Sequence, residues 1–187
     1  MPAPIHTVGH STRSLDELAE LLTLNGVQRL VDVRSVPGSR RLPHFAGSSL
    51  AGELPGRGIE YIHLPGLGGR RRGRPGSPNA GWRNRSFRAY ADHMLEEDFR
   101  ADLERLLELA SERPSAIMCA EAVPWRCHRR LVADALTLRG SEVLHITGRG
   151  APYRHSMTPF ARVEGGHLTY PGTGGPGPGM PQRGGRV

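Results

Sequence analysis

The sequence predicts one α/β domain with a three-layer, Rossmann-like fold around a mostly parallel sheet of about five strands and a small C-terminal hairpin. Short apolar runs of strand length alternate with segments of helical spacing, which is typical of parallel strands joined by helices. The 187 residues suffice for one well-buried core but not for two ordinary domains. The densest cluster of reactive side chains falls where a strand gives way to a helix, as binding sites of open α/β sheets do.

Each helix and strand is predicted from its apolar pattern and from the residues at its two ends. Strands are predicted at 5–8, 29–34, 60–64, 115–118 and 142–146. Helical spacing is present at 15–22, 48–54, 86–112 and 130–138. The 86–112 segment is predicted to break near Glu97, and a hairpin at 162–170 is predicted to turn at Gly165 and Gly166.

The domain is predicted to span residues 1–170. Residues 65–85 are rich in Gly, Pro and Arg without periodicity, so we expect a long basic loop that is functional or mobile. The Gly/Pro-rich composition of 171–187 predicts a disordered tail. No apolar run approaches the roughly 20 residues that cross a bilayer, and no signal-peptide pattern is present. We therefore expect a cytoplasmic protein without a membrane partner.

All 25 basic side chains are arginine, and the formal net charge is +7. The absence of lysine excludes a lysine Schiff base, the usual pyridoxal phosphate anchor and a Walker lysine. Arginine binds phosphate and carboxylate groups through two parallel hydrogen bonds. The composition therefore favours an anionic or phosphorylated small molecule as ligand, although charge alone does not establish nucleic-acid binding.

Residues 119–129 (CAEAVPWRCHR) contain both cysteines of the chain, an acid, a histidine and two arginines. The segment joins the predicted fourth strand to a helix, whose N-terminus favours an anion or a thiolate. Pro124 suits the first position of that helix, and Cys127 is predicted to share a helix face with Leu131. Glu121 is the candidate general acid or base. Cys119 is the reserve nucleophile, since nearby arginines lower the pKa of a thiol. A buried structural cysteine is an equal alternative for Cys119 and the favoured one for Cys127.

Two further candidate catalytic residues, His10 and Asp32, lie at the ends of the first and second predicted strands, so a parallel sheet brings them to the edge where Cys119 lies. The candidate ligand-binding residues are Ser11, Arg34, Trp82, Asn84, Trp125, Arg126, Cys127, His128 and Arg129. The arginines are predicted to bind anionic groups, and either tryptophan is predicted to stack on a ring.

A metal site is not predicted. Cys119, Cys127 and His128 are the obvious ligands, but structural zinc sites usually place paired ligands two to four residues apart. A helix would also point adjacent side chains roughly 100° apart. No cofactor is predicted either.

The chain resembles the domain of unknown function family 488 (DUF488) over about residues 5–171. The motifs that carry the resemblance are 7–13 (TVGHSTR), 31–39 (VDVRSVPGS), 81–84 (GWRN) and 118–129 (MCAEAVPWRCHR). The resemblance implies a compact α/β domain and no particular activity. A fainter resemblance is to rhodanese and cysteine-phosphatase domains. Here, however, Cys119 and Arg126 enclose six residues instead of five, and the enclosed Glu121 would oppose an anion.

Three hypotheses about function follow. The leading one is an enzyme acting on a phosphorylated substrate such as a nucleotide, nucleoside or nucleic-acid base. The second is a non-catalytic nucleic-acid-binding module, in which the basic loop makes the contacts and Trp82 stacks on a base. The third is a cysteine-based protein, either rhodanese-like or phosphatase-like, or a redox sensor that uses Cys119 and Cys127.

Overall fold

The computed structural model describes residues 3–38 and 40–172. Its helices are α1 (Leu15–Leu24), α2 (Gly47–Glu53), α3 (Arg85–His93), α4 (Glu97–Glu112) and α5 (Arg129–Leu138). Its strands are β1 (Ile5–Gly9), β2 (Arg29–Asp32), β3 (Glu60–His63), β4 (Ser115–Cys119), β5 (Val143–Ile146), β6 (Tyr153–Arg154), β7 (Arg162–Glu164) and β8 (His167–Thr169).

The main sheet has the strand order β3-β2-β4-β1-β5-β6. Strands β1 to β5 pair in parallel, and β6 joins the edge antiparallel to β5. This confirms the predicted mostly parallel sheet with one strand more than expected. Since β6 contains only two exposed residues, it offers no apolar pattern from which to predict it. Strands β7 and β8 form the predicted C-terminal hairpin.

Helices cover both faces of the sheet, as the predicted three-layer fold requires. Because successive strand residues point to opposite faces, Leu30 packs with α1 and α2, whereas Val31 packs with α3, α4 and α5. The same alternation places Met118 on the first side and Ile117 on the second. The apolar runs of the central strands are therefore continuous because both faces are buried.

The strand order defines where a ligand site is expected. The chain leaves β1 through α1 on one face of the sheet, and it leaves neighbouring β4 toward α5 on the other. Such a reversal opens a crevice at the carboxyl ends of the two strands. Gly9 and Cys119, the last residues of β1 and β4, are paired at this point.

The predicted break in the long helical segment is confirmed, since α3 ends at His93 and α4 begins at Glu97. One boundary differs: the chain after β4 forms a short 3-10 helix, Pro124–Arg126, and α5 starts only at Arg129. The basic loop begins with a 3-10 helix, Pro65–Leu67, and has no other helix or strand before α3.

None of the helices in the described chain combines the length and the apolar character needed to span a bilayer. Of the predicted disordered tail, only residues 171 and 172 belong to the described part, so that prediction lies otherwise outside it.

Candidate functional site

A cavity of about 670 Å³ opens at the carboxyl edge of the central strands. Its walls come from the segments that follow three adjacent strands. They include His10 and Ser11 after β1, Arg34 after β2, and Cys119 to Ala122 at the end of β4. The convergence of strand ends that the sequence predicts is therefore present, because β2, β4 and β1 are neighbours.

The two cysteines meet at this cavity. Their Sγ atoms lie 2.6 Å apart, and both residues are free cysteines. Cys119 is 2% exposed and Cys127 is 6% exposed, yet both contribute to the cavity wall. The contact depends on the turn between them, because Cys127 lies directly after the 3-10 helix and not on the face of α5 as predicted.

Arg129 lies behind the two sulfurs and is completely buried. Its Nε donates to Cys119 Sγ at 3.0 Å, and its backbone N donates to Cys127 Sγ at 3.4 Å. Its Nη2 donates to the Glu121 carbonyl oxygen at 2.6 Å, and Nη1 donates to Thr7 Oγ1 at 3.2 Å. Within the described chain, no carboxylate forms an ion pair with this guanidinium. A buried cation requires a compensating anion, and the thiols are the ionisable groups in contact with it.

The environment separates the two thiols in acidity. Burial opposes ionisation of Cys127, but the hydrogen bond with Cys119 and the Arg129 guanidinium outweigh it and lower the pKa of Cys127 to about 7. Burial, together with the neighbouring Cys127, raises the pKa of Cys119 well above its ordinary value. The two thiols therefore differ in acidity, and Cys127 is the one that ionises first.

His128 completes this group. Its Nε2 lies 2.9 Å from the Val33 carbonyl oxygen, which only accepts, so Nε2 carries the proton. Nδ1 is then free to accept a proton and lies 3.4 Å from Cys127 Sγ. Burial lowers the pKa of His128, so the ring is neutral at pH 7. The site therefore contains a thiol with a proton acceptor beside it.

Asp32 is buried and does not line the cavity. Its carboxylate accepts from Arg34 Nε and Nη2 at 2.9 and 2.5 Å and from the Tyr61 hydroxyl at 2.8 Å. Arg34 itself does line the cavity, and its Nη1 lies 3.3 Å from Nε2 of His10. This geometry makes Asp32 a positioning residue for Arg34. Burial lowers the pKa of His10, whose ring stacks on Phe45.

Three other arginines on the cavity wall, Arg41, Arg70 and Arg126, are exposed, and none forms an ion pair with a residue of the described chain. Glu121 is the one carboxylate on the described cavity wall, and its Oε1 accepts from the backbone N of Ala122 at 3.1 Å. The wall therefore carries a large excess of positive charge.

The structure places several predicted ligand-binding residues away from the cavity. The expectation of an exposed, stacking Trp82 is wrong: this side chain is 7% exposed and packs among Phe87, Phe160 and Tyr170, with Arg130 over its ring. The local sequence around Trp82 gives no sign that Phe160 and Tyr170, about 80 residues later in the chain, cover it.

Asn84 is the N-cap of α3, where its Oδ1 accepts from the backbone N of Ser86 at 2.9 Å, and it is not on the cavity wall. Trp125 is 54% exposed but also does not line the cavity. Arg129 was expected to bind the ligand. It does not line the cavity and instead donates hydrogen bonds to both cysteine sulfurs. Ser11, Arg126, Cys127 and His128 do line the cavity.

The sequence reasoning missed Thr7, Arg41, Tyr61 and Phe87. Thr7 could have been identified from the sequence, because a polar residue within an apolar, fully buried strand needs a hydrogen-bond partner. Phe87 lies within the helical segment predicted at 86–112 and in addition lines the cavity. Nothing local distinguishes Arg41 or Tyr61.

A buried hydrogen-bonded chain leads away from the thiol pair through Thr7, the hydroxyl that Arg129 contacts. Thr7 Oγ1 lies 2.7 Å from His145 Nδ1, and His145 Nε2 lies 2.9 Å from His155 Nδ1. His155 Nε2 then lies 2.8 Å from Asp134 Oδ1, and Tyr170 donates to the other carboxylate oxygen at 2.8 Å. The chain ties Arg129, through Thr7, to a buried carboxylate.

The substitution His145→Gln tests whether the His145 ring is neutral in the folded protein. Burial, with the charges of His155 and Arg129, lowers the pKa of His145 to about 3, whereas an unfolded histidine titrates near 6.5. Between these values only the unfolded chain binds the proton, so native histidine loses stability as the pH falls from 6.5 toward 3. The cost of His145→Gln in urea unfolding should therefore shrink below pH 6.5, by up to about 1.4 kcal/mol per pH unit.

The matched control is His167→Gln, at an exposed position of β8. A cost of His145→Gln that is the same at pH 7.5 and pH 5 would contradict the proposed burial of a neutral ring.

No group of three or more His, Cys, Asp or Glu side chains in the described residues is arranged to hold a metal ion. Cys119, Cys127 and His128 thus do not form one with any described neighbour. Their polar contacts are with each other, with Arg129 and with backbone groups.

Comparison with protein families gives one match: the model of the family described as "Domain of unknown function DUF488" covers residues 14–136. This range contains three of the four motifs quoted above and omits residues 7–13. No curated protein and no solved structure matches the chain. Nothing in these comparisons supports the rhodanese resemblance.

Proposed function

Since the chain belongs to the DUF488 family, whose description names no activity, we propose a function from the site alone: an enzyme that acts on a phosphorylated small molecule bound in the cavity. The observation that carries this proposal is the charge of the wall. Arg41, Arg70 and Arg126 border the cavity without ion-pair partners among the described residues, against the single carboxylate of Glu121.

Exposed arginines are usually solvated, so their position is what matters. Clefts lined by charge of one sign concentrate ligands of the opposite sign. Arginine in particular offers paired N–H donors to a phosphate. Arg34, whose charge is already balanced by Asp32, contributes a fixed donor group and little net attraction. Arg126 is the best single candidate because it lies within the motif that carries the thiols.

The cavity also has the right size and surface for a nucleotide-sized ligand. Its volume of about 670 Å³ lies within the usual range for small-molecule sites, roughly 300–1,000 Å³. Phe87 gives the wall an aromatic surface on which a ring can pack, the role that the sequence had assigned to tryptophan. A nucleotide or phosphorylated nucleoside therefore fits both the charge and the apolar surface.

We assign the proton-transfer step to Glu121. It is exposed at the cavity and follows the end of β4 by two residues, where its backbone carbonyl accepts a hydrogen bond from Arg129. A carboxylate at the cavity wall can act as a general base toward a bound ligand. His10 and His128 are neutral neighbours that can accept or relay a proton.

The binding part of the proposal is tested by titrating the full chain with AMP, adenosine and inorganic phosphate, followed by thermal shift and calorimetry. AMP should bind more tightly than adenosine, and Arg126→Ala should weaken AMP binding about 10- to 100-fold, the usual effect of losing a charge-assisted hydrogen bond. Arg162→Ala, at an exposed position of β7, makes the same charge change away from the cavity and should have little effect.

Equal binding of AMP and adenosine, or equal losses in the two arginine variants, would contradict the site. Stabilisation only by a 20-nucleotide single strand, abolished by salt and indifferent to Arg126→Ala, would indicate the nucleic-acid-binding module instead. The buried Trp82 and the internal hydrogen bonds of Arg71 to Gly68 and Pro65 weigh against that alternative.

Catalysis is tested with Glu121→Gln. Any ligand identified by titration is incubated with the protein, and products are followed by mass spectrometry. Glu121→Gln should retain binding and reduce turnover by about 100-fold or more, the typical contribution of a positioned general acid or base. Unchanged turnover would remove Glu121 from the mechanism, and no turnover of any bound ligand by the wild type would reduce the proposal to a binding protein.

A further inference from the structure

We propose that Cys119 and Cys127 are a redox-active pair, in which the Cys127 thiolate reduces a small peroxide and Cys119 then closes a reversible disulfide. This inference does not depend on the phosphorylated ligand. It rests on the geometry of the two sulfurs, on the buried Arg129 and on the access that the cavity gives.

The geometry brings the sulfurs within bonding reach without a change of fold. They lie 2.6 Å apart, and a disulfide requires about 2.05 Å. Both are held by rigid neighbours, since Cys119 ends the central strand β4 and Cys127 follows a 3-10 helix. Ordinary buried structural cysteines fill space separately. These two instead contact each other, the Arg129 side chain and His128.

The charge balance around Arg129 favours an anion at the sulfurs. Its guanidinium is fully buried and hydrogen-bonded to a sulfur, a hydroxyl and backbone carbonyls, while no carboxylate of the described chain pairs with it. One thiolate neutralises it, and the depressed pKa of Cys127 agrees with this assignment. Cys119, which retains its proton, becomes the resolving thiol.

The cavity supplies a route for the oxidant. Both cysteines are on its wall, so a molecule as small as hydrogen peroxide reaches Cys127 although the residue is only slightly exposed.

Oxidation of the pair by hydrogen peroxide takes two steps. Cys127 S⁻ attacks one oxygen of hydrogen peroxide, the O–O bond breaks, and Cys127 sulfenic acid and hydroxide form. The Cys119 thiol then attacks the sulfenic sulfur, its proton leaves with the hydroxyl group as water, and the S–S bond forms. The two sulfurs together lose two electrons, which reduce the peroxide. A thiol reductant reverses the disulfide by exchange.

Oxidation removes the anion that neutralises Arg129, so the guanidinium favours the reduced pair. As in other dithiols whose thiolate is stabilised, the disulfide should be readily reduced. Arg129 is thus a positioning residue for this chemistry. Arg129→Met should raise the pH midpoint of Cys127 alkylation and lower the reduction potential of the pair.

The test uses the reduced full chain with equimolar hydrogen peroxide, followed by blocking with N-ethylmaleimide and mass spectrometry. Wild type should lose about two daltons and remain unblocked at both cysteines. After trypsin cleavage at Arg126, Cys119 and Cys127 should appear in one disulfide-linked pair of peptides. Cys119→Ser should accumulate a sulfenic acid on Cys127 that dimedone traps, and Cys127→Ser should react with peroxide at least about tenfold more slowly than Cys119→Ser.

Retention of two free thiols by the wild type overturns the proposal, and so does equal reactivity of the two serine variants. Because these variants are nearly isosteric, they remain informative even if Arg129→Met does not fold. No phosphorylated ligand is present, so failure here leaves the nucleotide titration unaffected, and failure of that titration leaves the redox pair unaffected.

Discussion

Gly9→Ala is expected to lower the free energy of unfolding by about 3 kcal/mol or more, because the added methyl group has no room. An alanine Cβ at this position would lie 1.8 Å from the Glu121 carbonyl oxygen and 2.9 Å from the Ala122 Cα. Both are backbone atoms, so no side chain can rotate away, and the segment after β4 must move. The midpoint and slope of urea unfolding measure the loss.

The same displacement should disturb the thiol site. The Glu121 carbonyl that Cβ would meet accepts a hydrogen bond from Arg129, which holds Cys119 through Nε. We therefore expect Gly9→Ala to lower the peroxide reactivity of Cys127 even at temperatures where the variant is folded. Gly52→Ala in α2 is the matched control, since nothing lies within 4 Å of its added Cβ. It should be neutral or stabilising by up to about 1 kcal/mol. Equal unfolding midpoints for the two variants would contradict the close approach at Gly9.

Asp32→Ala is expected to cost about 3 to 5 kcal/mol, because it leaves Arg34 as a buried cation without its partner. Asp32 is fully buried and accepts from Arg34 through both carboxylate oxygens as well as from Tyr61. The loss in the free energy of unfolding should lie closer to about 3 kcal/mol, because Arg34 also borders the open cavity. Urea unfolding at neutral pH measures it.

Glu53→Ala is the control for Asp32→Ala, because it breaks an ion pair with Arg57 that is largely exposed. Exposed pairs of this kind contribute only about 0.3–0.5 kcal/mol. Adding Arg34→Met to Asp32→Ala should recover part of the stability, since the unpaired charge is then removed. If Asp32→Ala costs no more than Glu53→Ala, the buried pair is not the support for Arg34 that we describe.

Local pattern was sufficient for most of the fold. The central strands read as unbroken apolar runs because both faces are covered, and the break between α3 and α4 was visible in the change of apolar face near Glu97. The apolar pattern did not predict β6 or the start of α5, where the local sequence is uninformative. Strand β6 is too short to show a period, and the start of α5 was misplaced because Pro124 begins a 3-10 helix as readily as an α-helix.

The candidate site was predicted in part. His10, Ser11, Arg34 and residues 119–122 and 126–128 line one cavity because they follow neighbouring parallel strands. Trp82 was misjudged because its partners Phe160 and Tyr170 come from a segment far along the chain. Whether the cysteines were structural or reactive stayed open, since a separation of eight residues does not determine the distance between two sulfurs.

The sequence by itself determined which chemical groups stand at the carboxyl ends of the strands, because the apolar periodicity that defines a strand also defines where it ends. It likewise determined that arginine supplies all basic charge. Only the tertiary structure decided what those charges contact: Arg34 pairs with Asp32, Arg129 donates to a sulfur, and Arg126 pairs with no described residue. The physical reason is that the energy of a buried charge depends on every group within a few ångströms, and those groups come from distant parts of the chain.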